Sequence, residues 1–339
     1  MDTAERILRL LRQAPVVSGE VLSSNLGVSR AAVWKHVEAL RASGYRIAAL
    51  HARGYALTGV PDRLLPTEIE QHLTTERFGR RLECFETIDS TNLRAAALAR
   101  AGAPEGMLVL AEQQTAGRGR LGRSWVSPAR VNLYASFILR PRLVPADAPQ
   151  LALAAAVAVV RALRALPGLA PERIAIKWPN DCLLDGRKIA GVLTEMDAEA
   201  DRIRSVVLGI GVNLNAPARA FPPALRATAT SVLLATGTRV DRPRFAAGLC
   251  AALEAVYDRV VGEGFAALAP EWEASSCLTG RSVRIEGGGR CSTGTVRGID
   301  AAGRLVVAGP AGEERIMAGD VTIVDGYRML AAADEERGR

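Results

Sequence analysis

Apolar positions in the first sixty residues change their period once, from helical to alternating. Ile7, Leu8, Leu10 and Leu11 recur at helical spacing and stop at Pro15, and Ser18 caps a second helix that runs to about Leu26 and turns at Gly27. A third helix begins after the capping Ser29, carries Arg30-Ala31-Ala32-Val33-Trp34-Lys35-His36, and ends near Gly44. Two short strands, residues 45–50 and 54–57, flank a His51-Ala52-Arg53-Gly54 turn. Three helices and a hairpin within residues 1–60 predict a winged helix-turn-helix. Ser29, Arg30, Trp34 and Lys35 then fall at the start or outer face of the recognition helix, with Arg53 on the wing beside backbone phosphate. The alternative is a helical hairpin whose charges are merely solvated; helix arrangement, turn and charge together favour DNA.

Pro61 and Pro66 bracket a short linker. Beyond it, strand-like runs at 82–86, 107–112, 133–139, 174–178, 189–195 and 205–213 mix with helical runs at 92–101, 151–166 and 242–262, which predicts one α/β domain over residues 67–273. From about Leu278 the pattern shortens to strands at 282–286, 291–299, 304–308 and 315–323 separated by glycine turns, as in a small SH3-like barrel over residues 277–326. The tail after Tyr327, rich in Ala, Glu and Arg, is expected to be poorly ordered. The longest apolar run, residues 151–160, is short for a bilayer and reads as a buried helix.

Charge sharpens this plan. The chain of 339 residues carries a net charge of +7, and residues 1–60 hold eight basic and four acidic side chains, so an anionic partner is expected for the head. Arg118, Arg120, Arg123 and Arg130 form a second basic focus without an acid among them. Only three of the 43 basic residues are lysines, namely Lys35, Lys177 and Lys188; a retained lysine points to a place where a compact point charge matters, with chance survival as the alternative, above all for Lys35 on a surface helix. Five scattered cysteines lack zinc-ligand spacing and read as reduced thiols in the cytoplasm. The acidic, amphipathic N-terminus is unlike a signal peptide, and no membrane role is indicated.

Four pieces carry chemistry. In Gln114-Thr115-Ala116-Gly117-Arg118-Gly119-Arg120-Leu121-Gly122-Arg123-Ser124-Trp125, glycines let the backbone approach an oxyanion and arginines supply donors. A strand leads into this loop, and Trp125 is expected to lead out to another. It is neither a P-loop nor a dinucleotide fingerprint, and a flexible connector or a nucleic-acid-binding Arg-Gly tract remains open as an alternative. Lys177-Trp178-Pro179-Asn180-Asp181 with Arg187-Lys188-Ile189-Ala190-Gly191-Val192-Leu193-Thr194-Glu195 places two of the three lysines in one hairpin-like unit, where a lysine can neutralise charge building on an acyl-phosphate; a hairpin turn with solvated cations is the alternative. Asp89-Ser90-Thr91-Asn92 can cap a helix or line a pocket. Gly209-Ile210-Gly211-Val212-Asn213 permits close approach of a ligand or simply tight strand packing.

In this order and spacing, behind a winged helix, the four pieces resemble the biotin-protein ligases of the bifunctional kind that double as biotin operon repressors. The resemblance covers nearly the whole chain. It implies an α+β multidomain fold: an N-terminal winged helix-turn-helix, a central α/β class II synthetase-like ligase domain and a C-terminal SH3-like β-barrel. The implied reaction joins biotin to ATP, with Mg²⁺ carried by the nucleotide and its protein ligands unassigned, and then transfers the biotinyl group from biotinyl-5'-AMP to a lysine of biotin carboxyl carrier protein.

Matched position by position, the resemblance puts Ser90, Thr91, Asn92, Gln114, Arg118, Gly119, Arg120 and Lys188 around biotin. Gly117, Arg118, Arg120, Trp125, Lys177, Asp181 and Asn213 fall on the adenylate side, with Lys188 and Arg118 as the catalytic cations. It also implies operator DNA on the head and a ligand-promoted homodimer. A carboxylate ionised at neutral pH needs no general base, only alignment and neutralised repulsion, which agrees with these residue types. A lipoate or octanoate enzyme and a ligand-sensing transcription factor with a degenerate enzyme body are the rival readings.

Overall fold

The computed structural model describes residues 3–287, 290–310 and 312–324. Two compact units divide the chain, Met1–Arg63 and Leu64–Arg339.

In the first unit, α1 (Thr3–Gln13) buries Ile7, Leu8 and Leu11, one face of its helical repeat. The Ser18 hydroxyl accepts the Val21 N–H at 3.1 Å to start α2 (Gly19–Leu26), which ends at Gly27 in the left-handed region. Ser29 does the same for Ala32 at 3.2 Å at the head of α3 (Arg30–Ala42), and Val33, Val37 and Leu40 of that helix point inward. The wing is the antiparallel pair β1 (Arg46–Leu50) and β2 (Gly54–Gly59). Tyr55 exchanges backbone hydrogen bonds with Val17, which ties the wing to the α1–α2 connection.

The second unit opens with α4 (Pro66–Glu70) and is built on a seven-stranded sheet. Its members are β3 (Leu82–Phe85), β4 (Leu108–Ala111), β5 (Leu133–Leu139), β6 (Ile174–Lys177), β7 (Asp181–Leu184), β8 (Arg187–Ala198) and β9 (Ile203–Val212), in the order β3-β4-β5-β9-β8-β7-β6. Only β3 and β4 run parallel. Strand alternation assigns the faces. Val109, Ile138 and Val207 pack with Ala95 and Ala99 of α5 (Thr91–Arg100). Their neighbours Leu108, Leu110, Phe137, Leu139, Val206 and Leu208 belong to the main core with α6 (Gln150–Arg164) and α8 (Arg242–Glu263). α7 (Val232–Thr236) and α9 (Ala269–Glu273) complete the helices of this body.

The C-terminal part adds β10 (Ser282–Gly287), β11 (Arg290–Ile299), β12 (Leu305–Gly309), β13 (Gly312–Ile316) and β14 (Asp320–Ile323), an antiparallel sheet of order β13-β12-β11-β10-β14 among the described residues. Its apolar face, including Val283, Val296, Leu305 and Ile323, merges with the main core. The indole N–H of Trp178 donates to the Gly303 carbonyl at 3.2 Å, a second tie between sheet and body.

Two sequence expectations need correction. Residues 315–323 do not form one strand, because the chain turns at 317–319 and β13 and β14 sit at opposite edges of the sheet. β7 was not expected; its four residues, three of them buried, are too short to display a period. The buried helix expected at 151–160 is found: helical structure extends across residues 145–164, long and apolar enough to cross a membrane by composition, and 72% of its apolar window is buried inside the body, as in a core helix. The tail after Tyr327 and the last two positions of the expected third domain lie outside the described residues.

Candidate active site

A cavity of about 700 Å³ opens on the α5 side of the large sheet. Ser90 sits at the N-cap position of α5, 1% exposed, but its hydroxyl neither caps the helix nor finds another partner. A buried hydroxyl left unpaired costs on the order of 1–3 kcal/mol, and Ser90 is among the residues that line the cavity. The capping alternative for Ser90 is therefore not the one used.

The next side chains form a buried polar belt. Ser136 of β5 donates to Asn92 Oδ1 at 2.6 Å and lies 2.8 Å from Thr91 Oγ1. Thr91 gives its backbone N–H (2.9 Å) and hydroxyl (3.1 Å) to Gln114 Oε1. Gln114 Nε2 donates to Ser127 Oγ at 3.0 Å, whose hydroxyl reaches the Trp125 carbonyl at 3.1 Å. Gln114, three residues past β4, is thereby fixed in rotamer as well as register.

The glycine-arginine loop covers the opening. Arg118 pairs with Glu195 of β8 at 2.8 Å, Arg120 donates to Asn180 Oδ1 at 3.0 Å, and Arg123 pairs with Asp320 of β14. Burial lowers the pKa of Arg120, an effect that Asp320 and Asp181 oppose. Arginine holds its proton regardless, so the loop delivers fixed positive charge. Leu121 at the tip adopts φ +55° and is 73% exposed. Trp125 does not lead into a strand as expected: the chain runs irregularly from there to β5. Its indole lies against the backbone of Gly211 and Gly191, and Lys188 Nζ stands 5.5 Å from the ring centroid.

Lys188 also contacts Asp181 Oδ1 at 2.6 Å across the β7–β8 hairpin. Lys177, half-buried, borders the same cavity. Asn213 accepts from Asn132 Nδ2 at 3.1 Å and is held at the far end. A hydroxyl wall, a cationic cover and a lysine–carboxylate pair in one cleft suit a ligand carrying several oxyanions.

The cavity thus brings together Ser90, Thr91, Asn92, Gln114, Arg118, Gly119, Arg120, Trp125, Lys177, Asp181, Lys188 and Asn213. Gly117 is the exception. It lies behind the wall, where its carbonyl accepts the Trp125 N–H at 2.9 Å and an added Cβ would strike Ser127 Oγ at 2.8 Å. The glycines of β9 are close-packed against the protein's own side chains: Gly209 faces Asn92 and Gly211 faces Trp125. Sequence reasoning missed two contributors. Glu195 closes the run at 187–195, but the run's sequence gives it no role. The segment holding Phe221, Leu225 and Thr228 lines the cavity and bonds the Lys188 backbone through Thr228 O (2.8 Å) and Thr230 N (2.9 Å), yet nothing in its composition signals a ligand.

The five DNA-contact candidates belong to the first unit. Trp34 is 54% exposed on α3, Lys35 and Arg53 are exposed, Arg30 pairs with Glu20 at 3.1 Å, and Ser29 serves as helix cap.

Family models match along the chain in the same order: an HTH domain over residues 3–56, the biotin/lipoate A/B protein ligase family over 84–213 and the biotin protein ligase C-terminal domain over 279–324. The bifunctional ligase/repressor BirA of Bacillus spizizenii is 40% identical over 319 residues, which spans 94% of this chain and 97% of that protein. The chain belongs to the bifunctional biotin-protein ligase/repressor family. The BirA of Escherichia coli K12 is 33% identical, spanning 89% of this chain and 91% of that one. A biotin--[acetyl-CoA-carboxylase] ligase of Paracoccus denitrificans is 40% identical over 69% of this chain and 96% of its own. Among solved structures, the biotin protein ligase of Aquifex aeolicus in complex with biotin and ATP superposes with a TM-score of 0.62 at 27% identity, covering 72% of this chain and 98% of that one. A biotin-protein ligase of the bifunctional kind therefore describes both units, and the lipoate rival, which the central family model alone would admit, is set aside by the near-full-length relatives.

Proposed function

We propose that the cavity forms biotinyl-5'-AMP from biotin and MgATP with release of pyrophosphate, and that the bound adenylate then gives its biotinyl group to a lysine of biotin carboxyl carrier protein. The observation that carries this is the meeting, in one cleft, of the unpaired Ser90 hydroxyl, Lys188 and the arginine loop. Biotin lies along Ser90, Thr91, Asn92 and Gln114, with its carboxylate toward Lys188. The nucleotide lies beneath Arg118, Arg120 and Trp125 toward Lys177, Asp181 and Asn213.

The carboxylate attacks the α-phosphorus, the bond from that phosphorus to the oxygen bridging it to the β-phosphate breaks, and pyrophosphate departs; Mg²⁺ brought by the nucleotide would offset phosphate charge. Lys188 and the loop arginines offset the negative charge that builds on both sides of that phosphorus. Loop closure keeps water from the mixed anhydride. In the second step the carrier lysine, as free amine, attacks the acyl carbon and AMP leaves.

For the first unit we propose operator binding, α3 in the major groove and Arg53 on phosphate, by a homodimer that the bound adenylate promotes. Biotin-driven ATP–pyrophosphate exchange, with lipoate as competitor, tests the ligase assignment; exchange driven by lipoate alone overturns it. Sedimentation and gel shift with and without biotin plus ATP test the repressor half. An unchanged monomer that shifts no palindromic operator removes it and leaves the ligase intact.

A further inference from the structure

Each arginine of the cover loop is anchored on a different element: Arg123 on β14, Arg120 on the β6–β7 turn and Arg118 on β8. The third anchor differs from the others in what else it holds. Glu195 splits its carboxylate, with Oε1 2.8 Å from Arg118 Nη1 and Oε2 accepting Asn92 Nδ2 at 2.7 Å. Asn92 is 5% exposed and its Oδ1 takes the Ser136 hydroxyl, the entry to the belt that runs through Thr91 to Gln114. Glu195 stands opposite Val207 on the α5 face of the sheet, two residues beyond the cavity-lining Leu193, so it occupies the rim rather than the pocket.

We propose that Glu195 is a positioning residue that latches the cover loop to the biotin-side wall, setting how long the adenylate is retained without touching it. The proposal rests on the adenylate reading of the cavity. The Arg118 and Glu195 side chains remain 45% and 33% exposed, which makes the ion pair weak enough to open for ligand entry. One carboxylate serving both loop and wall lets a ligand that orders Asn92 also favour a closed loop. It also gives the loop a closed position before any ligand arrives.

Glu195→Gln keeps an acceptor for Asn92 and removes the charge that holds Arg118; Glu195→Ala removes both. Trypsin reads the latch in the ligand-free chain, since the loop offers Arg118, Arg120 and Arg123 as cleavage sites. Both variants should be cut faster by about fivefold, the factor corresponding to the upper end of about 1 kcal/mol for a surface pair. Adenylate made in a single turnover should escape faster by a similar factor in both, with adenylation itself slowed much less. Only Glu195→Ala should also raise KM for biotin, because only it frees Asn92. If the wild-type chain forms no adenylate, the reading of the cavity falls and this role with it. If the wild-type chain forms and keeps adenylate, and Glu195→Gln matches it in retention and tryptic rate, the Glu195 role alone is overturned. A parallel loss of thermal stability and of every kinetic parameter in Glu195→Gln also overturns it, in favour of a purely structural carboxylate.

Discussion

The ammonium of Lys188 lies 2.6 Å from Oδ1 of Asp181 while resting 5.5 Å from the centre of the Trp125 ring. Carboxylate and aromatic face hold the lysine extended into the cavity, so little reorganisation is needed when a ligand carboxylate arrives. Lys188→Ala should lower kcat/KM for biotin-dependent pyrophosphate exchange by on the order of 10²–10³, as loss of one preorganised donor does elsewhere. Near-normal exchange would remove the assigned role.

Gly211 tests the aromatic side of the same arrangement. A Cβ there would come within 2.5 Å of the Trp125 indole, and the ring cannot yield without leaving Lys188 and the cavity wall. Gly211→Ala should therefore fold but bind biotin plus ATP at least about tenfold more weakly, roughly the 1.4 kcal/mol of one disturbed aromatic contact. Calorimetric titration with circular dichroism as the folding control decides it; unchanged affinity would mean the indole is no part of the wall.

Most of the elements of this fold announce themselves because their periodicity is long or their caps are explicit. Ser18, Ser29 and Gly27 punctuate the head at the expected places, and the long strands and helices of the body fall within a few residues of their sequence patterns. The lining of the cavity is legible where its residues fall in a distinctive run, as at Lys188 and the cover loop. It is illegible where an ordinary residue reaches the cavity or its rim only through tertiary register. Glu195 looks like any strand carboxylate until β8 is paired with β9 and Asn92 is brought above it, and the Phe221 segment has no local pattern at all. The glycines of β9 show the converse: their spacing is plain, but only the fold reveals that Asn92 and Trp125 fill the space they leave.

A buried ion pair supports the loop from beneath. Arg242 is 0% exposed at the start of α8 and reaches Glu112 Oε2 at 2.5 Å, while Glu112 Oε1 accepts the Leu64 N–H at 2.8 Å. Glu112 stands two residues before Gln114. Arg242→Met should destabilise the second unit by about 3–5 kcal/mol, the cost of leaving one buried charge unpaired, and Arg242→Met with Glu112→Leu should recover a substantial part of it. Urea unfolding of the two variants gives the comparison; equal midpoints for the single variant and the wild type would sink the argument.

Thiol reactivity should follow burial. Burial raises the pKa of Cys84 and Cys250 to about 12 and of Cys277 to about 11, and pushes Cys182 up as well. A thiol so far from ionisation is a poor nucleophile, whereas Cys291 is exposed. Brief alkylation of the native chain at pH 8 should label Cys291 alone, read by peptide mass spectrometry. Labelling of Cys182 at a comparable rate would show that the β6–β7 region opens readily.

Acid should weaken the second unit through carboxylates that clamp one element to another. Burial would raise Glu254, but it accepts the backbone N–H groups of Glu76 (2.9 Å), Arg77 (2.9 Å) and Phe78 (2.8 Å), and the net result is a lowered pKa. Arg161 lowers Glu271 by direct hydrogen bonding, with burial opposing, and this joins α9 to α6. Asp300 is likewise low: the Arg304 and Ala302 amides and the Arg304 side chain outweigh its burial, and together they hold the turn before β12. A group with a depressed folded pKa binds its proton more readily when unfolded, so its contribution is complete above the unfolded value and is lost as pH falls through the folded one. The unfolded values are about 4.5 for the two glutamates and 3.8 for the aspartate. The urea midpoint should therefore be insensitive to these three groups near neutrality and decline as pH drops below about 4.5. Glu254→Gln cannot gain or lose charge, so it should start from a lower midpoint at pH 7 and show a shallower acid slope. The same slope in wild type and variant would mean that Glu254 titrates alike folded and unfolded, and that the three amides do not hold its charge.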